Sequence, residues 1–340
     1  MDKKSLITRW DTTDVEIRNE LIRAIRGAGL LDQVSGLKKT DGRWDLRGFK
    51  VPAPARTENI RSYLKVEGAF AFTGMVIDNS DLSYADLSFT TWRDCKIGNS
   101  IFVEAKLKDV FMAASDIVNT EFINTDFKDS FIGQNVGKNS GSFINVTFNE
   151  CNLSNVGFCF PKIEGTNFKN CDLKDTDFDG SRFANCKFTG LLDSTFFRGY
   201  SKDAHTSFLW VFNRVRPRNF FNEMYGVDFS EASLSGISFT NHIDLSRCIL
   251  PRDGSAILVT DLKNTYDLMK IRINNEWSGE YKRIGLEYID SIYYNKDRQD
   301  QPNDIIDIDT LSQGTGMEKF GQDFFNLLKN VKNESVNHNG

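Results

Sequence analysis

The most chemically suggestive stretch of the chain sets Arg198, Lys202, Arg214, Arg216 and Arg218 among Phe208, Trp210, Phe212, Phe220 and Phe221. Between Arg198 and Arg218 the only acid is Asp203. Guanidinium forks suit carboxylate and phosphate recognition, and aromatic side chains anchor interfaces, so this pattern can read a partner. The plainer alternative is equally open: the rings pack on the protein and the arginines stay solvated. On the first reading the candidate partner-binding residues are Arg198, Lys202, Trp210, Arg214, Arg216 and Arg218.

Catalysis has little raw material. The three histidines, His205, His242 and His338, are scattered, and GxSxG, HExxH, GxxxxGK[ST] and CxxC are all absent. Gly314-Thr315-Gly316 lacks the preceding strand and third glycine of a nucleotide loop. We therefore assign no catalytic, cofactor-binding or metal-ligating residue and expect a non-enzyme. Asp81, Asp86, Asp126, Asp172 and Asp177 each stand one place before a regularly spaced apolar residue. Their expected work there is solubility and corner hydrogen bonding.

Those apolar residues lead to the elements. The chain has 340 residues, 28 of them Phe against 9 Tyr and 5 Trp, and a net charge of −5. No apolar run is long enough to span a bilayer, and the charged start Met1–Trp10 does not resemble a signal peptide, so a cytoplasmic protein is expected. From Phe70 the sequence divides into fives, FAFTG MVIDN SDLSY ADLSF, whose thirteen successive centres from Phe72 to Ile132 are large and apolar. The frame breaks at 135–140, resumes from Gly141 to Gly190, and returns at Val227 as VDFSE ASLSG ISFTN, then IDLSR CILPR after His242. On an α-helix five residues advance a side chain by roughly 140°, which smears the row around the axis. On a strand every fifth residue changes face. A chain that turns a corner every five residues keeps each centre inside, which makes a solenoid.

The units ADLSF, SDLSY and CDLKD resemble the A(D/N)LxX motif of the pentapeptide-repeat family over residues 70–252. The resemblance implies a mainly β fold, a right-handed quadrilateral β-helix with four pentads to a coil and about seven coils here. Residues twenty apart should then stack, as Ile77/Ile97/Ile117, Leu82/Phe102/Phe122, Leu87/Leu107/Phe127, Phe143/Ile163/Phe183 and Phe148/Phe168/Phe188. The residue two before each centre should also point inward and be small. Five of the six cysteines, Cys95, Cys151, Cys171, Cys186 and Cys248, fall on that row, where they read as buried fillers without disulfides.

Around the solenoid (70–252, with a short loop at 135–140 and the basic-aromatic insert at 191–226) the segments differ. Residues 1–69 read as a helical cap: Thr13–Glu16 is a capping box, Ile17, Leu21, Ile22 and Ile25 form a stripe, and a short helix is expected around Glu58–Lys65. WDLRG and FKVPA, from Trp44 to Ala53, could begin a coil. Residues 253–332 read as helices that cap the solenoid or form a dimer, with a loop from Asn295 to Asp309. Phe320, Phe324, Leu327 and Val331 are the candidate cap or dimer contacts, and 333–340 should be a disordered tail.

A protein-binding scaffold is the first functional reading, with the insert as recognition element and a protein as partner. A homodimer through the C-terminal helices is a further expectation, and direct nucleic-acid binding is disfavoured by the acidic balance. The family resemblance implies an alternative, a DNA-mimicking protector of bacterial type II topoisomerase. That requires a continuous negative stripe, yet 11 bases interrupt the 16 acids of residues 70–190, and Lys106 falls between Asp86 and Asp126. A third alternative is an effector or toxin-neutralising protein.

Overall fold

The computed structural model describes residues 1–26, 31–52, 70–134, 136, 139–199, 222–293, 301–314 and 316–338. The helix expected around 58–65 lies outside them. The chain winds as a quadrilateral β-helix with helical segments at both ends. Three of the four walls are sheets, and all their coil-to-coil pairings are parallel. The fourth is a column of single bridges running Lys50, Asp86, Lys106, Asp126, Asn152, Asp172.

The pairing register follows the column arithmetic. Ile77, Ile97 and Ile117 are paired neighbours, and the column continues through Phe143 to Ile163 and Phe183. The step from Ile117 to Phe143 spans the short loop, which is closed by mutual Val136–Asn139 backbone hydrogen bonds of 2.8 and 3.2 Å. The column therefore resumes across the six extra residues, with a local register shift between Phe131 and Gln134. Phe102, Phe122, Phe148, Phe168, Phe188 and Phe229 form a continuous ring stack at centroid spacings of 4.7–5.3 Å. That spacing fits both the separation of adjacent strands and the optimum for offset rings. Rings of the neighbouring wall meet the stack edge-on, as Phe178 meets Phe168 at 78°.

Corners explain the rest of the repeat. The residue two after a centre sits in the left-handed region at coil after coil: Asn79, Asp94, Asn99, Asp109, Asn119, Asn124 and Asp129 all have φ between 49° and 62°. Asn and Asp tolerate this conformation better than other non-glycine residues. Along one corner they also bond between coils, Asn145 Nδ2 donating to Asn119 Oδ1 and Asn119 Nδ2 to Asn99 Oδ1. The small inward row is tied to the coil below: Thr125 and Ser130 hydroxyls donate to the carbonyls of Phe102 and Leu107 at 3.0 and 2.9 Å.

The coils are more numerous than the unbroken fives suggest. The wall through Phe72 is an eight-stranded sheet, because Phe197 continues its column between Phe178 and Phe239. At the other end, Trp44 and Asp45 pair with Ser80 and Asp81, and Lys50 bridges Asp86, so WDLRG and FKVPA form two walls of a starting coil.

Two helices close this first coil, α1 (Lys3–Thr12) and α2 (Val15–Arg26). The capping-box stripe gives α2, whereas α1 went unseen because only Leu6 and Trp10 are buried along it. Trp10 packs edge-on against Phe49 and donates to the Arg47 carbonyl. A Cβ on Gly48 would lie 2.4 Å from the Leu6 carbonyl oxygen, and Gly48 has φ +70°, so glycine is required for this approach.

At the far end, strands Ala256–Val259 and Asp304–Asp307 pair as an antiparallel ribbon. Three long helices follow the ribbon's strands: α3 (Leu262–Glu276), α4 (Gly279–Tyr293) and, after the one-turn α5 (Ile308–Leu311), α6 (Glu318–His338). The loop expected at 295–309 is thus partly strand, since DIID alternates about a ribbon whose partner is distant in sequence. The expected tail is helical as far as His338, because α6 continues past Asn333.

Candidate interaction surfaces

Arg198 does not lie in the insert. Its Nε stands 2.9 Å from both carboxylate oxygens of Asp177, one coil below on the same wall. The segment 191–199 is solenoid, with Leu192 and Phe197 buried as centres. It escapes the count of fives because Asp177 pairs with Phe196, so this coil is one residue short. At the other side, Tyr225 bridges Ala184 and Met224 is buried, so the coil has already resumed by then. The excursion is therefore shorter than 191–226. Lys202, Trp210, Arg214, Arg216 and Arg218 lie outside the described residues.

The two ends of the excursion touch. The Asn222 amide donates to the Gly199 carbonyl at 2.8 Å, and the Gly199 amide donates to Thr240 on the next coil. Gly199 and Asn222 thus meet at one point of the wall, and the columns close across it.

Carboxylates that stand one place before a centre serve the corners, Asp81 on a sheet wall and Asp126 and Asp172 on the fourth wall. Asp81 accepts from the Ser83 amide and hydroxyl at 2.9 and 2.6 Å, and Asp126 and Asp172 accept from the amides two residues on. Lysines neutralise the fourth wall: Lys108 lies 3.0 Å from Asp126, and Lys106 lies 3.9 Å from Asp86. The Asp126 hydrogen bond raises the Lys108 pKa above its ordinary value. This wall is a self-neutralising lattice rather than an anionic stripe.

Most of the cysteine row is buried, with Cys248 half-buried. Burial pushes the Cys186 and Cys248 thiols up to about 11 and about 12, and it also raises Cys95 and Cys151. None of the six cysteines is in a disulfide. Among the described residues, no group of three or more His, Cys, Asp or Glu is arranged to hold a metal.

Phe320, Phe324, Leu327 and Val331 are buried in a second core with Tyr266, Met269, Ile273 and Ile289. They are consumed within the chain, which corrects their reading as dimer contacts or as the direct cap. The ribbon covers the solenoid instead: Ala256 and Ile305 join the solenoid core, while Ile257, Val259 and Ile306 face the helices. Strand alternation divides the two sets. Polar side chains finish the last coil, with Asn303 Oδ1 accepting from the Leu245 amide at 2.7 Å and Thr310 Oγ1 from the Gly236 amide at 2.8 Å.

The first coil carries a charged cluster that sequence reasoning missed. Arg9 bonds both oxygens of Asp45 at 2.8 and 2.9 Å, and Arg47 joins the same carboxylate. Burial pushes the Asp45 carboxyl upward, but the Arg47 and Arg9 bonds outweigh it and hold the group far below the usual carboxylate range. The Arg9–Trp10 pair was the only available signal, and it has meaning only once α1 is known.

Residues 151–190 match the family described as pentapeptide repeats, in 8 copies. Among solved structures, the plasmid-mediated fluoroquinolone resistance protein QnrB1 is similar at 13% identity and TM-score 0.30, over 62% of this chain and 89% of that one. HetL, involved in heterocyst differentiation regulation in Nostoc sp. strain PCC 7120, is 15% identical at TM-score 0.25, over 54% and 90%. AT2G44920 of the Arabidopsis thaliana thylakoid lumen is 20% identical at TM-score 0.18, over 31% and 66%. Comparison with curated proteins gives no match.

Proposed function

The chain is a pentapeptide-repeat protein, and from that premise we propose that it is a non-enzymatic protein-binding scaffold whose recognition element is the segment 200–221. The observation that carries this reading is the Asn222–Gly199 hydrogen bond, which joins the two residues flanking a basic and aromatic sequence at one point of a rigid wall. Binding residues concentrate on loops held by rigid scaffolds, and nothing in the helix path requires this loop. Its arginines suit a partner face rich in carboxylates. The described solenoid faces offer a weaker alternative, since bases are interspersed among their carboxylates, as in Lys106–Asp86, Lys108–Asp126 and Lys162–Glu164.

The test replaces Arg214, Arg216 and Arg218 by Ala and measures quantitative partner capture beside the circular dichroism spectrum. Capture should fall at least tenfold while the spectrum stays unchanged. Unchanged capture would sink the insert as recognition element. The DNA-mimic reading makes the opposite demand, an acidic wall as the contact. The self-neutralising lattice of Asp86, Lys106, Lys108 and Asp126 weighs against it. Protection of gyrase supercoiling from an inhibitor by both the wild type and the triple variant would restore it.

A further inference from the structure

The geometry points to a binding site for a small quaternary ammonium ligand in the aromatic cavity between α3, α4 and α6. The cavity measures about 210 Å³ and is lined by Glu276, Trp277, Ser278, Tyr281, Phe320 and Asp323. Pockets for drug-sized ligands run to roughly 300–1,000 Å³, so this one suits a headgroup-sized guest.

Three rings with carboxylates among the lining residues are the chemistry that holds a permanent cation. Trp277 and Phe320 meet edge to face at 5.9 Å, and Tyr281 is tilted at 34° to Phe320 at 6.0 Å. Phe320 is buried while Tyr281 is 37% exposed, so the cavity has an apolar floor and a wall open to solvent. The site is built rather than incidental. Trp277 caps α3 with its amide on the Ile273 carbonyl, and Phe324 backs its ring at 6.4 Å. On its other side the ring lies against bare backbone, since a Cβ on Gly285 would come within 3.1 Å of it.

The molecule already shows the preference of the cavity edge. The Lys319 ammonium stands 5.8 Å from the Tyr281 ring centroid and 3.8 Å from Asp323. This is an exposed pair of low strength, which a better-fitting cation can displace. A quaternary ammonium fits better because its methyl groups fill the apolar floor, while its diffuse charge costs little to desolvate. Asp323 then faces a cation that cannot lose its charge, while Glu276 stays paired with Arg272 on α3.

The experiment titrates the ¹⁵N-labelled full chain with choline and, separately, with its neutral carbon isostere 3,3-dimethylbutan-1-ol. The readout is the Trp277 indole N–H signal, assigned with Trp277→Phe. Choline should give a saturable shift confined to that indole, and the alcohol should bind at least tenfold more weakly. Tyr281→Leu keeps the apolar volume and should weaken choline by roughly fivefold or more, and Asp323→Asn should weaken it further. Equal binding of the two compounds, choline binding unmoved by Tyr281→Leu, or no saturable shift up to tens of millimolar overturns the assignment.

Discussion

The solenoid wall and the segments added at its ends are held by different means. In the wall, each centre is fixed by its place in five and touches its counterparts one coil above and below. Phe168 lies between Phe148 at 5.1 Å and Phe188 at 4.7 Å, with Phe178 on its edge. At the ends, stability rests on single non-repeating arrangements: Asp45 between Arg9 and Arg47, a ribbon with two apolar faces, and Asn303 on the Leu245 amide. The difference teaches where the molecule tolerates change. A periodic wall can eject a loop wherever the two stubs bond to each other, because neighbouring coils supply the remaining contacts. An end has no second copy of its contacts.

The largest effect should come from cutting the ring stack. Phe168→Ala should cost about 3–5 kcal/mol in chemical denaturation. The matching change in the second core, Phe324→Ala, should release α6 to limited proteolysis while the solenoid resists. Loss of both regions together in the second variant would show that the wall depends on its end, and the comparison would fail.

Acid should separate the two regions more gently. The folded Asp45 carboxyl titrates below its unfolded counterpart, near 3.9, so its contribution is complete at neutral pH. That contribution drains away as pH falls below about 4. Hydrogen exchange should therefore quicken in α1 before it quickens in the phenylalanine columns, and Asp45→Asn should abolish the pH dependence of that difference. Simultaneous loss would mean that the cluster does not hold the first coil closed.

The smallest effect belongs to the loop. Replacing 200–221 with a short Gly-Ser link between Gly199 and Asn222 should change stability by less than about 1 kcal/mol, since loop closure depends weakly on length. A larger loss would mean that the segment supports the wall and is not merely carried by it.

Sequence alone determined the wall. A period of five is compatible with neither helix nor strand, so its thirteen unbroken apolar centres name the solenoid, and the columns follow by adding twenty. Its blind spot is a change of count. One missing residue between Phe188 and Phe197 hid two walls and drew Arg198 into an insert to which it does not belong. The ends were legible where a segment carried its own pattern, the fives of WDLRG and FKVPA or the helical stripes of α2 and α6. Four residues of Ala256–Val259 and four of Asp304–Asp307 are too short to declare a strand, and tertiary structure made them a ribbon because each supplies the other's hydrogen bonds. The aromatic cavity was decided in the same way. Trp277, Tyr281 and Phe320 are ordinary core-type residues in the sequence, and only the packing of α3, α4 and α6 brings them to the lining of one cavity. Local periodicity is written along the chain. A meeting of distant residues is fixed by which surfaces remain to be buried once the periodic part has formed.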